Sequence, residues 1–179
     1  VTRLGEEGGR AILVAPAALA RRQARWIAAI EPWRSLGYGA VPLGRWLARQ
    51  AGAGEVRVWR PRPTAAPAGV IVVQKDVLLG WFVSLLAVRP EVAGRGIGTA
   101  LLRDVASDAF GVRRWLYLSC DEANTEALGF YRKLGFKRVG RLPDLVRAGR
   151  VELLLRVGRD VWTERIARRD RHREKALRR

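Results

Sequence analysis

Apolar residues recur along this chain in two rhythms, a helical one of three to four and a strand one of two, punctuated by Pro and Gly. Residues 10 to 15 read as a strand. Pro16 then opens a helix to about residue 31, with Leu19, Gln23, Trp26 and Ile30 on one face and Pro32 as its stop. A second helix starts near Pro42, where Leu43, Trp46, Leu47 and Gln50 recur at helical spacing until Gly52 and Gly54 end it. An aromatic and glycine-rich loop, residues 33 to 39, joins the two. Residues 55 to 60 alternate like a half-buried strand, 61 to 67 form a Pro-rich loop, and 69 to 74 are a β-branched run before a turn at Lys75 and Asp76. Residues 81 to 88 are apolar on both faces apart from Ser84, the pattern of a central strand covered on both sides.

Glycines at 94, 96 and 98 then make a turn into a helix over 99 to 110, which points Leu101, Leu102, Val105 and Ala109 inward. A strand at 114 to 119, a helix at 124 to 134 and strands at 136 to 142 and 151 to 157 follow, without internal repeat. The order is β, α, α, three strands, then α, β, α, β, β, which predicts a mixed α/β (α+β) domain over residues 1 to 158. From Asp160 the pattern turns polar. Val161, Trp162 and Ile166 can dock one turn of a C-terminal helix, and Glu164/Arg168 and Glu174/Arg178 stand at i, i+4. Residues 159 to 179 are therefore expected to form a basic helical tail.

Charge adds a second question. The 179 residues carry 34 Lys and Arg against 17 Asp and Glu, a formal charge of +17, which raises a polyanionic partner before any motif is considered. The excess is dispersed, because residues 156 to 179 hold only 10 basic and 4 acidic residues. That distribution suits a generally basic protein better than a nucleic-acid binder. Cys120 is the only cysteine, so no internal disulfide can form, and a reducing cytoplasm is the expected compartment. No apolar run is long enough to span a bilayer, and residues 1 to 15 lack the pattern of a secretory leader, so no membrane partner is expected. One Cys and one His, His172, cannot make a structural zinc site, so no metal is expected.

Two stretches carry candidate chemistry. In the first, Val88-Arg89-Pro90-Glu91-Val92-Ala93-Gly94-Arg95-Gly96-Ile97-Gly98-Thr99, a buried strand runs through glycines into a helix. Such a turn aims backbone N–H groups and the positive end of a helix dipole at one point, a natural seat for phosphate oxygens. The spacing matches neither a dinucleotide fingerprint nor a P-loop. The second stretch is Asn124-Thr125-Glu126-Ala127-Leu128-Gly129-Phe130-Tyr131-Arg132-Lys133-Leu134-Gly135-Phe136. Taken together, and in this order, they resemble the GCN5-related N-acetyltransferase (GNAT) superfamily, with its R/Q-x-x-G-x-G/A acetyl-CoA turn and its later N-x-x-A-x-x-F-Y-x-x-x-G-F helix. The resemblance covers residues 10 to 157. Ala93 stands where the family usually has Arg or Gln, which removes a polar contact and leaves the backbone donors in place.

The resemblance implies a mostly antiparallel central sheet, splayed at an acetyl-CoA site and flanked by helices. It implies that backbone groups of Leu86, Ala87 and Val88 hold the pantetheine arm, that Arg95, Gly96, Ile97, Gly98 and Thr99 cradle the pyrophosphate, and that Asn124 reaches the arm or a water. Acetyl-CoA would be the donor cosubstrate, and an amine would attack the thioester directly. Tyr131 is the expected acid toward the departing thiolate. Asp121 and Glu122 follow a strand, and Glu122 is the expected base. Cys120 has no activating His nearby in sequence and is read as a small buried residue.

The acceptor is the open question. The segment 137 to 150 lacks the tyrosines with which the superfamily's peptide-gripping members follow the Gly-Phe end, which favours a small primary amine. Trp26, Trp33, Tyr38 and Trp81 suit a pocket lining or ordinary packing equally. Three readings stand: a small-molecule N-acetyltransferase; an enzyme of a protein or aminoacyl-tRNA, docking through basic surface; and a non-catalytic acyl-CoA-binding or nucleic-acid-binding module. Self-association into a homodimer stays open.

Overall fold

The computed structural model describes residues 11–177. In chain order they form β1 (Ala11–Val14), α1 (Ala17–Ala28), α2 (Ala40–Gly52), β2 (Val56–Arg60), β3 (Gly69–Val77), β4 (Gly80–Val88), a 3₁₀ turn (Pro90–Val92), α3 (Ile97–Val112), β5 (Trp115–Asp121), α4 (Thr125–Lys133), β6 (Lys137–Pro143), β7 (Val151–Gly158) and α5 (Arg159–Leu177). Arg10 and Arg178, to which the sequence reading assigned a strand end and an ion pair, lie outside the described residues. The strands run β1-β2-β3-β4-β5-β7-β6 across one sheet. The pairs β1–β2, β2–β3, β5–β7 and β6–β7 are antiparallel. The mixed α/β architecture expected from the element order is the one observed. Among the described residues no helix is long and apolar enough to cross a membrane.

The chain divides into two compact units, one holding residues up to 75 together with 83–108, the other holding 76–82 and the residues from 109 on. In the first unit, period-two alternation sorts the strands into two faces. Val56, Val58, Val70, Val72, Leu85 and Ala87 pack against Ala20, Ala24 and Ile27 of α1 and Leu43 and Leu47 of α2. The opposite face meets α3. There Gly69 leaves no room for a side chain, since a Cβ would lie 2.7 Å from Ile97 Cγ2 and 3.0 Å from Leu101 Cδ1. The first turn of α3 therefore rests directly on β3.

On the same face a buried Arg57 takes two carboxylates at once. Its Nη1 donates to Asp104 Oδ2 at 2.5 Å and its Nη2 to Asp108 Oδ2 at 2.8 Å. Residues 104 and 108 stand one helical turn apart, so a single planar guanidinium spans both and fixes α3 along and around its axis.

In the second unit β5 and β7 pair along their whole length, and β6 adds an edge broken by a register shift between Arg138 and Gly140. Trp162 of α5 is buried, with ring centroids 6.4 Å from Phe110 and 6.3 Å from Phe136. Arg159 donates to the Phe110 carbonyl. The first turns of α5 are thus docked, and Glu164 pairs with Arg168 at 3.5 Å as the i, i+4 spacing predicts.

Two local expectations are corrected. The hairpin after β3 turns at Leu78 and Leu79, with φ of 51° and 60°, and not at Lys75-Asp76, which stay in the strand. A two-residue turn of type I′ needs positive φ at both central positions, and leucine carries no sequence signal for that. The strand expected to end at Ser119 continues through Asp121, which makes Asp121 a buried strand residue and not an exposed loop acid.

Replacing Arg57 by Ala strands two carboxylates on a packed face. The expected cost is roughly 3 kcal/mol in urea unfolding. Adding Asp104→Asn and Asp108→Asn to that variant should recover part of the loss, and full additivity of the three changes would refute the clamp.

Candidate functional site

The sequence-expected residues fall into two local sets. The first lies where β4 ends. Leu86 and Val88 are half-buried and face away from the core that holds Leu85 and Ala87. Just beyond, Arg89 is anchored from three directions: its backbone N–H donates to Ala68 O at 2.9 Å, its Nε donates to Pro67 O at 2.9 Å, and its guanidinium lies 4.8 Å from the Trp26 ring centroid. The 3₁₀ turn closes with Ala93 N donating to Pro90 O at 3.1 Å.

Gly94 and Gly96 then take φ of 75° and 83°, a region that an L side chain enters only with strain. Apart from the adjacent residues in the chain, no atom of the described residues lies within 4 Å of a Cβ built on either glycine, so open space adjoins the turn. Ala100 N donates to Gly96 O at 2.9 Å, which starts the α3 ladder and leaves the N–H groups of Ile97, Gly98 and Thr99 as first-turn donors without an intrahelical acceptor. Thr99 is buried, and its Oγ1 has no hydrogen-bond partner among the described residues. A buried hydroxyl left unsatisfied costs stability unless a ligand completes it. Orphan N–H groups, an unpartnered hydroxyl and the helix's positive end together fit an anion such as a pyrophosphate. Arg95 is exposed beside them, and Ala93 contributes no side-chain donor.

The second set follows β5. Asn124 caps α4, with its Oδ1 accepting from Ala127 N at 3.1 Å. The cap uses the carboxamide oxygen and leaves the Nδ2 donors outside it. Asp121 is 4% exposed and fully engaged: Oδ2 accepts from Arg150 Nε at 2.8 Å and Nη2 at 2.5 Å, and Oδ1 accepts from Ala123 N at 2.8 Å. Glu122 is half-exposed and accepts from Arg141 Nη2 at 2.8 Å. That hydrogen bond, with the charges of Arg141 and Arg138, holds its carboxyl below the usual range, which makes it a poorer proton acceptor.

Sequence reasoning missed Glu152. It sits on β7 directly opposite Asp121 and is 6% exposed. Burial raises its pKa, the neighbouring Asp121 raises it further, and a hydrogen bond from Ser119 and the charge of Arg150 oppose the rise. The signal was present as a single acid in the otherwise apolar run Val151-Glu152-Leu153-Leu154-Leu155.

Tyr131 is buried between Phe130 and Phe136, at centroid distances of 5.2 and 5.6 Å, and burial followed by the neighbouring Cys120 raises its pKa. Cys120 is itself pushed up to about 12, by burial first and then by Glu152 and Asp121. A thiol this reluctant to ionise is a packing residue and no nucleophile. Among the aromatic residues that suited pocket lining or packing equally, Trp26 and Trp33 pack on the first unit's core, Trp81 is buried, and Tyr38 is exposed. No group of three His, Cys, Asp or Glu among the described residues could hold a metal ion.

The acetyltransferase (GNAT) family model matches residues 22–136. A peptidyl-lysine N-acetyltransferase, YjaB of Salmonella typhimurium, is 38% identical over 82 residues, covering 42% of this chain and 54% of the relative. The chain thus spans about half the length of the curated relatives it matches. Among solved structures, Ard1 of Thermoplasma volcanium superposes with a TM-score of 0.69 at 20% identity, over 84% of this chain and 97% of that one. YncA of Salmonella typhimurium, described as an acetyltransferase with its cofactor acetyl-CoA, gives 0.61 at 15% identity, over 83% and 93%. At these identities the superpositions speak for the fold.

Because the folded-state pKa of Glu152 is raised, its contribution to stability is complete below the unfolded value and is lost as pH climbs through the folded one. Glu152→Gln should therefore be more stable relative to wild type at pH 7 than at pH 4. Urea midpoints at both pH values check the sign, and an equal difference at the two would show that Glu152 titrates as an ordinary glutamate.

Proposed function

Given that the chain belongs to the acetyltransferase (GNAT) family, we propose that it is an N-acetyltransferase that moves the acetyl group of acetyl-CoA onto a primary amine. The observation that carries this reading is the turn at 94–99, where a buried hydroxyl and three helix-start N–H groups lack partners among the described residues beside open space. Acetyl-CoA supplies an activated thioester together with a pyrophosphate by which it is held. The N–H groups of residues 95 to 99 and the Thr99 hydroxyl bind that pyrophosphate, with Arg95 adding charge. Backbone groups of Leu86, Ala87 and Val88 align the pantetheine arm, and the Asn124 carboxamide nitrogen donates to it or to a water.

An amine must lose a proton to attack and again after it has attacked. Glu152, whose burial raises its proton affinity, suits that task better than Glu122, which Arg141 holds in the ionised form. Glu152 therefore takes the place of Glu122 as the proton acceptor in this reading. Tyr131 holds its proton more tightly than a free tyrosine does, and a thiol titrates near 8.5, so complete transfer to sulfur is uphill. Its role is to donate a hydrogen bond to the departing thiolate.

For the acceptor, the absence of tyrosine from residues 137–150 supports a small primary amine. The second reading, a peptidyl lysine, rests on the Salmonella relative's described activity. The single reduced thiol suits a cytoplasmic enzyme.

Thiol release from acetyl-CoA, measured across small amines and a lysine peptide, tests the activity and separates the two acceptors. Binding of acetyl-CoA without transfer to any amine would leave a non-catalytic module. Tyr131→Phe should lower kcat about tenfold or more with acetyl-CoA affinity unchanged. Thr99→Val should weaken acetyl-CoA about five- to tenfold by calorimetry, while the ligand-free protein stays as stable as wild type or gains stability. Unaltered affinity in that variant removes the hydroxyl from the donor site.

A further inference from the structure

At the end of β5 remote from Asp121 the second unit holds a cavity of about 680 Å³. Trp115 opens that strand and Asp121 closes it, so roughly 20 Å of extended chain separates the cavity from the acidic cluster. Arg114, Lys137, Arg138 and Arg156 line the cavity, and Asp160, in the first turn of α5, is its one acidic wall residue. Two further wall cations have partners, Arg113 on Asp76 and Arg159 on the Phe110 carbonyl.

The remaining cations are gathered against their own repulsion. Lys137 and Arg156 stand directly opposite each other across β6 and β7, a like-charge pairing that weakens a sheet. The guanidiniums of Arg156 and Arg114 both lie over the Trp115 ring, 3.9 and 4.9 Å from its centroid. That ring is wedged in place, since a Cβ on Gly158 would come within 2.8 Å of its Cζ3. Among the described residues no carboxylate forms a salt bridge with Arg114, Lys137 or Arg156, and Glu122, which feels the charge of Arg138, is already held by Arg141.

Packing alone does not call for two guanidiniums over one indole with a third cation paired opposite one of them. A multiply charged anion does, and guanidinium forks match phosphate oxygens best. The basic surface also continues beyond the cavity. Gly135 lines the wall, Arg165 of α5 packs its Cγ against that glycine, and both Arg165 and Arg169, one turn further on, are exposed. A polyanion with phosphates repeated along its length can engage both the cavity and this face of α5.

We propose that this cavity and the adjoining face of α5 bind the phosphodiester backbone of a single-stranded nucleic acid. Such binding is independent of acetyl transfer, so either property can fail without the other.

Anisotropy of a labelled single-stranded oligonucleotide, titrated at several salt concentrations with the full chain, tests it. Lys137→Gln with Arg156→Gln should weaken binding about tenfold near 0.1 M salt and make the log K against log salt slope shallower by about 1.4, the value for two lost phosphate contacts. Arg114→Gln, which leaves both strands untouched, should weaken binding in the same direction about threefold, and thermal melts establish that each variant is folded. A charge-matched control, Arg22→Gln with Arg49→Gln on exposed helix positions of the first unit, should keep the wild-type slope. Equal loss in the control and in the cavity variants, an unchanged slope in the cavity variants, or binding of free nucleotides in preference to the oligonucleotide would each overturn the proposal.

Discussion

The guanidinium of Arg57 ties β2 to Asp104 and Asp108 of α3, and much in the first unit follows from where that tie places the helix. With the middle of α3 pinned and its first turn seated on Gly69, the helix start can occupy only one position over β3. The open N–H groups at 97 to 99 are then presented as a preorganised set. Preorganisation matters because a donor array that must assemble on binding loses affinity to the ordering itself. Arg89, braced by Pro67, Ala68 and Trp26, holds the other side of the turn. The glycines between these braces supply the positive φ that the path requires.

The second unit handles charge differently. At one end of β5 a single arginine, Arg150, meets Asp121, and Glu152 is left buried with a raised proton affinity. That imbalance favours proton exchange. At the other end the excess is positive and surrounds Trp115. One strand thus separates an end where carboxylates and arginines are paired from an end where cations gather without salt-bridge partners among the described residues.

Most elements were legible in the sequence because each carries its own periodicity. The face Leu43, Trp46, Leu47 and Gln50 defines α2, and the doubly apolar run at 81 to 88 defines a central strand. The Leu78-Leu79 turn was not legible, because its positive φ values are imposed by the strands it joins. Nor was the burial of Asp121. A pair of adjacent acids after a strand reads as solvated loop, and only the pairing of Asp121 with Glu152 in register and with Arg150 across the following loop takes it inside.

The sequence by itself determined the element order, the glycine turn leading into α3 and the cap at Asn124, since these depend on residues close along the chain. It also determined how much positive charge there is. Only the tertiary structure decided what those charges do. Arg57 became a buried clamp because residues 47 and 51 positions away fold onto it. Glu122 became a weaker base because Arg141 reaches it from β6, and Glu152 a stronger one because β5 and β7 bury it. Proton affinity and the local density of charge are set by neighbours in space, and those neighbours are far apart along the chain.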